Sequence, residues 1–300
     1  MIPQRKLRVT VEIAKKNGKS QFVSFDETFH IIGNTQESAD VGSSNATITI
    51  KGALARDMYY LATSGSTLID ENSYFNKIIV EAGYSDRFGV IYDGQINNAV
   101  PDFRSADFSI TFLCGIRIAN RLTDTISKSF KGPKPVRAIV KEICDHYKVA
   151  FYDGIDTDDI IVTDYSLSNA LPEEHFRKIK NEASGEKINI TTGTYGVRLI
   201  YVGSTKGREN LIERSINPWD VIGSPVPTFL GCDFDSRINP SLRGQDPIKI
   251  TSLRFPEMNG ERYYIQTLSH VFDTRGEAWM TKVNAVKHGT GYVPLVEVKQ

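Results

Sequence analysis

Cysteine is scarce in this 300-residue chain: Cys114, Cys144 and Cys232 stand far apart, and none belongs to a CxxC pair. An odd, scattered set argues against a disulfide framework and predicts buried free thiols in a reducing cytosol. Net charge is missing too. Thirty-six basic residues balance 36 acidic ones, so nothing drives tight, nonspecific binding to nucleic acid or an acidic membrane. No run approaches the roughly 18 apolar residues that cross a bilayer, and MIPQRKLRVTVEI lacks the apolar centre of a secretory signal. What remains is ordinary globular composition, 40% hydrophobic and 24% charged, at a length that predicts two domains or one core with an insertion.

Signatures of catalysis are equally sparse. Neither a GxSxG elbow nor an HExxH zinc helix occurs, and the five histidines, at 30, 146, 175, 270 and 288, are dispersed. Gly18-Lys19-Ser20 has the look of the end of a phosphate-binding loop. The position five residues before Gly18 is Ile13, not glycine, so the segment reads as a hairpin turn. Asp153, Asp156, Asp158 and Asp159 raise the idea of calcium, but Ile161 falls where an EF-hand needs glycine, which leaves a solvated acidic loop. Glu173 and Glu174 are neighbours on an expected helix and point about 100° apart, unlike a glycosidase pair. Asp93, Asp102 and Asp107 read as turn residues. No residue is assigned a catalytic, cofactor-binding or metal-binding role.

What is present is alternation. In LRVTVEIA, Leu7, Val9, Val11 and Ile13 share one face, and Arg8, Thr10 and Glu12 the other. ATITIKG, NKIIVEAGY, FGVIYDGQI and ADFSITFLCGI continue the pattern between turn residues, which predicts an antiparallel barrel or sandwich over 1–125. ALARDMYYLA breaks the rhythm as a short helix or an irregular excursion. From Pro133 the period changes. Val136, Ile139, Val140, Ile143 and Tyr147 recur at helical spacing, and LPEEHFRKIKNEASG predicts a second helix with Pro172 in its first turn. Residues 126–187 therefore read as a small α+β insertion. Strand patterns resume at EKINITTG and YGVRLIYVG, followed by a proline-rich passage, so 188–300 reads as a second β-domain.

Two segments share an order of parts. In "KIIVEAGYSDRFGVIYDGQINNAVPDFRSADFSITFL", Ile78, Val80, Phe108, Ile110 and Phe112 answer Ile248, Ile250, Trp279, Thr281 and Val283 of "PIKITSLRFPEMNGERYYIQTLSHVFDTRGEAWMTKV". That order fits an internal duplication, and equally two unrelated β-meanders of like layout. The second segment also carries His270, Asp273, Gly276 and Trp279. His270 and Asp273 lack further metal ligands nearby, and Asp-Thr-Arg-Gly is good turn material, so the four read as the signature of a structural hairpin.

The segment from Cys232 to Val286 resembles the closing barrel of bacteriophage tail baseplate hub proteins, a family also found in related contractile injection systems. The resemblance rests on Asn239-Pro240, the strand at Ile248–Ser252, Asn259-Gly260, the strand Tyr264–His270, the turn Asp273–Gly276, and Trp279. GVIYDGQINN similarly resembles the family's first barrel. Gly244-Gln245-Asp246-Pro247 departs from the family's "P-G-D" lead-in. The resemblance implies a mainly β chain with two tube-type antiparallel β-barrels flanking the α+β insertion. It also implies a homotrimer whose six barrels form a pseudo-sixfold ring between the sixfold tail tube protein and the threefold central spike protein. Other baseplate proteins would attach, and double-stranded DNA would pass through without specific binding. Such a protein is structural rather than enzymatic, needs no cofactor, assembles in the host cytoplasm and resides in the virion. The alternatives are a carbohydrate- or receptor-binding tail module and a tail-associated glycan or peptidoglycan hydrolase.

Overall fold

The computed structural model describes residues 3–13, 20–38, 44–65, 76–104, 107–119, 124–154, 160–183, 188–193, 196–201 and 213–287. The first third is built from β1 (Arg5–Ile13), β2 (Gln21–Asp26), β3 (His30–Ser38), β4 (Asn45–Lys51), α1 (Ala55–Gly65), β5 (Lys77–Tyr84), β6 (Arg87–Asp102) and β7 (Ser109–Gly115). ALARDMYYLA thus contains a helix, and its Met58 and Leu61 are buried in the core. The alternating apolar residues of β1, β4, β5 and β7 all face that core, as period-two patterning requires of a half-buried strand.

The middle third contains β8 (Ile126–Ser129), β9 (Pro133–Pro135), α2 (Val136–Tyr147), β10 (Phe151–Gly154), β11 (Ile161–Thr163), β12 (Ser166–Ala170), α3 (Pro172–Glu182), β13 (Ile188–Gly193) and β14 (Gly196–Tyr201). Here the boundary expected at residue 188 is corrected. β13 pairs with β14, and β14 with β10, not with the large sheet, and Ile188, Ile190, Val197 and Leu199 join the core under α2 and α3. Alternation announces a strand but does not say which sheet receives it. α3 begins as its sequence predicts: Pro172 occupies the first turn, and Glu174 accepts the N–H of Leu171 at 2.8 Å. Of the acidic loop, Asp156, Asp158 and Asp159 lie outside the described residues, as does the Gly18 turn.

The last third contains β15 (Arg214–Ile216), β16 (Val221–Pro227), β17 (Gly231–Ser236), β18 (Pro247–Ile250), β19 (Arg262–Asp273) and β20 (Trp279–Lys287). Its strands repeat the order of the first third. The first unit runs β3-β4-β7-β6-β5-β1 and the second β16-β17-β20-β19-β18-β15. Three differences are visible among the described residues: β1 meets β5 antiparallel whereas β15 meets β18 parallel, α1 has no helical counterpart between β17 and β18, and β2, paired to β1, has no counterpart beside β15.

In both units one long strand carries the sheet from one pair of strands to the next. β6 pairs with β5 through its first half and with β7 through its second, and its register slips between Ile96 and Asn98. β19 pairs with β18 near Tyr264 and with β20 along its length, and its register slips between Ile265 and Thr267. A bulge at the same point of two equivalent strands re-aims each chain in the same way. The expected correspondences hold on this frame, with Phe112 opposite Ala99 and Val283 opposite Leu268, each two residues past its bulge's leading edge in β7 and β20.

The two units are not separate beads. β3 pairs with the second half of β19 from Thr267↔Ser38 to Asp273↔Ile32, which fuses them into one 13-stranded sheet.

Candidate assembly surface

The β19–β20 hairpin makes the joint between the units. His270 lies mid-strand and is buried, its Nδ1 2.9 Å from the Thr281 hydroxyl. Burial, with the positive charge of Arg243 added, pushes its pKa down to about 3. The ring is therefore neutral at ordinary pH, and its job is to satisfy a threonine inside the barrel. Asp273 opens the turn. Its Oδ1 accepts the N–H groups of Arg275 at 2.8 Å and Gly276 at 2.9 Å, and His30 Nε2 at 3.1 Å. Burial raises the carboxyl, but those N–H donors and His30 outweigh it and hold the group below its usual range. A Cβ on Gly276 would sit 2.5 Å from that carboxylate, so any larger residue would push the Asp273 side chain out of this arrangement.

The turn grips the first unit. Thr274 donates its hydroxyl to the Phe29 carbonyl at 2.7 Å, and its backbone N–H reaches the Ile31 carbonyl at 3.0 Å. Arg275 reaches the Thr28 carbonyl at 2.7 Å, and Arg5 donates to the Gly276 carbonyl at 2.8 Å. Phe272 and Trp279, stacked edge to face at 6.5 Å, belong to the core of the first unit rather than the second. Phe272 enters because its cross-strand partner is Gly33, where a Cβ would stand 2.3 Å from the ring. A glycine at a core-facing position of HIIGNTQES is the one sign of this joint that the sequence carries.

On the side away from the core, the run β16-β17-β20-β19-β3-β4-β7-β6 presents a polar face. Thr49 and Thr111 hydroxyls meet at 2.9 Å, Ser269 donates to Asn34 at 2.7 Å, and Asn284 donates to Asp233 at 2.6 Å. Short, uncharged, cross-linked side chains dominate, and Asp233 and Asp235 flank Lys282. The face has little with which to hold phosphate.

Elsewhere titratable groups serve packing. His175 donates Nε2–H to the Ile126 carbonyl at 3.1 Å and accepts the Tyr165 hydroxyl at 2.6 Å, and burial lowers its pKa. Burial pushes the Cys144 and Cys232 thiols up to about 12 and Cys114 upward as well. Asp93, expected in a turn, lies within β6 opposite Ile79, where desolvation raises its pKa. Among the described residues no cluster of three or more His, Cys, Asp or Glu is placed to hold a metal ion.

A family model described as Baseplate hub gp41 matches residues 6–285. The chain belongs to that family. It is accordingly a structural protein of the phage tail, a virion component. Solved structures share its fold. A 43 kDa tail protein of prophage MuSo2 from Shewanella oneidensis is 12% identical, with a TM-score of 0.54, over 95% of this chain and 100% of that one. A tail protein from Neisseria meningitidis is 8% identical, with a TM-score of 0.55, over 94% and 96%. The Escherichia coli c3393 protein, a type VI secretion component described as similar to T4 tail proteins gp27 and gp5, is 11% identical, with a TM-score of 0.55, over 88% and 76%. No curated protein sequence matches the chain.

Proposed function

We propose that three copies of this baseplate hub form a ring of six barrels that joins a sixfold tail tube to a threefold central spike. The observation that carries this reading is the repeat: one chain holds two units of the same strand order, already fused edge to edge through β3 and β19. A chain with two equivalent halves turns threefold symmetry into near-sixfold symmetry, which is what the junction demands. One side of the ring meets the tail tube protein, the other the spike protein, and further baseplate proteins attach outside. Assembly takes place in the host cytoplasm.

The polar face of the fused sheet becomes the wall of the channel. Short Thr, Ser and Asn side chains with few cations make few phosphate contacts, so double-stranded DNA passes without being held. The protein performs no catalysis. His175, His270 and the three thiols sit at packing positions, and the His270–Asp273 hairpin ties the barrels together.

The test is co-sedimentation of the purified hub with polymerised tail tube protein. Binding of three chains per tube end supports the junction. A hub that ignores tube ends but binds cell-surface glycan, or cuts peptidoglycan, would transfer the reading to a receptor-binding module or a hydrolase.

A further inference from the structure

The two units offer the same joint twice, once used and once open. Across the first unit one rung runs Asn34–Thr47–Leu113–Asn98, and across the second Val226–Asp233–Asn284–Thr267. Both rungs start immediately after the bulge of β6 or β19, so they are equivalent, and Asp102 answers Val271 four residues on. The used joint is β3 on β19, where Asn34 lies opposite Val271. Its equivalent is β16 on the second half of β6, where Val226 would lie opposite Asp102. Among the described residues β16 pairs only with β17, and the second half of β6 only with β7.

Aromatic residues repeat the correspondence. Phe103 follows Asp102 as Phe272 follows Val271, and Phe108 precedes β7 at the place of Trp279. Phe103 and Phe108 stack edge to face at 5.5 Å, as Phe272 and Trp279 do. Phe272 is fully buried in the neighbouring unit, whereas Phe103 is 42% exposed. On the receiving side β16 bulges between Ile222 and Val226, so Ile222, opposite Asp235, answers Ile32, opposite Thr49, and Trp219 stands where Phe29 stands, three residues earlier. Phe29 packs on the core beneath the hairpin, whereas Trp219 is 85% exposed. Both halves of the open joint thus carry bare apolar surface where the used joint carries core.

We infer that one copy of this chain docks head to tail on the next by laying β16 along the second half of β6, seating the Phe103–Phe108 pair against Trp219. Closure after three such steps rests on the ring proposed above. The occupant is a second copy because the complementary surface is on this chain and its geometry is already realised within it. The transferred register places Pro227 opposite Pro101, so both prolines fall on a single rung of the ladder. Pro225 and Pro227 also guard the edge of β16 against unrelated strands until that partner arrives.

The experiment uses the full chain carrying Val226→Cys and Asp102→Cys, with Asn34→Cys and Val271→Cys as the intrachain counterpart. The native thiols are all buried, so background is low. Under mild oxidation the first pair is expected to give covalent dimers and trimers, and the second only intrachain bonds. Separately, Trp219→Ala is expected to leave monomer melting unchanged and to raise the dissociation midpoint of the assembly roughly 30-fold or more. If the native chain is trimeric but no intermolecular bond forms and Trp219→Ala changes nothing, this docking surface is overturned and the ring stands. A native chain that stays monomeric at all concentrations, with no intermolecular bond, overturns both.

Discussion

Replacing Gly33 by alanine tests the joint between the barrels directly. A Cβ at this position would lie 2.3 Å from Cζ and 2.4 Å from Cε2 of Phe272, against about 3.5–4.0 Å for an ordinary carbon–carbon contact. The overlap exceeds 1 Å, and the ring has nowhere to retreat: it is fully buried and stacked on Trp279. Overpacking of this kind costs about 1–3 kcal/mol. Phe272→Ala alone costs about 3–5 kcal/mol as a lost core aromatic. In that background Gly33→Ala meets open space and costs nothing, or gains a few tenths because alanine suits a strand better than glycine. The two substitutions are therefore strongly non-additive, with a coupling of about 1–3 kcal/mol. Urea unfolding followed by Trp279 fluorescence reads this out, in a Trp219→Phe background that leaves Trp279 as the only tryptophan of the two in the chain. Equal costs of Gly33→Ala in both backgrounds would refute the argument.

Other consequences are as specific. His270 binds no proton in the native state until about pH 3, whereas an unfolded histidine does so near 6.5. Its contribution is complete above pH 6.5 and is lost as pH falls, by about 2 kcal/mol at pH 5. His270→Gln should flatten that acid slope in a urea series, and an unchanged slope would clear His270 of the effect. Trp279→Ala should cost about 3–5 kcal/mol and leave the second unit's core less affected than the first, as hydrogen exchange resolved by unit would report. Binding of the hub to duplex DNA should be weak, with little dependence of affinity on salt; a steep salt slope would mean that the polar face is not the channel wall.

Much of this was written in the sequence. Period-two runs such as LRVTVEIA and ATITIKG become core-facing strands because one apolar face must be buried, and the α2 pattern from Val136 to Ile143 becomes a buried helix face for the same reason. The shared order of parts was legible, but the bulges that put the aromatic and aliphatic residues of both meanders at matching positions, and so decide for a duplication, appear only in the fold. The destination of a strand was not legible. Ile188–Tyr201 alternates like a barrel strand but is captured by β10, a decision made by contacts distant in sequence. The joint was hidden for the same reason: nothing local in HIIGNTQES names a partner more than 200 residues away, although Gly33 marks where a ring will press. His270 reads as part of a structural hairpin because no further metal ligands lie near it, but the burial that keeps its ring neutral is not legible, since sequence shows residue type and not surroundings.

The central claim is the ring. Class averages of the purified chain by electron microscopy, taken alongside its solution mass, test it most directly. The expected particle is a closed annulus with a six-lobed outline and a mass of roughly 100 kDa, three times the 33.5 kDa chain. Single two-lobed particles at every concentration, or a ring of any other copy number, would contradict it.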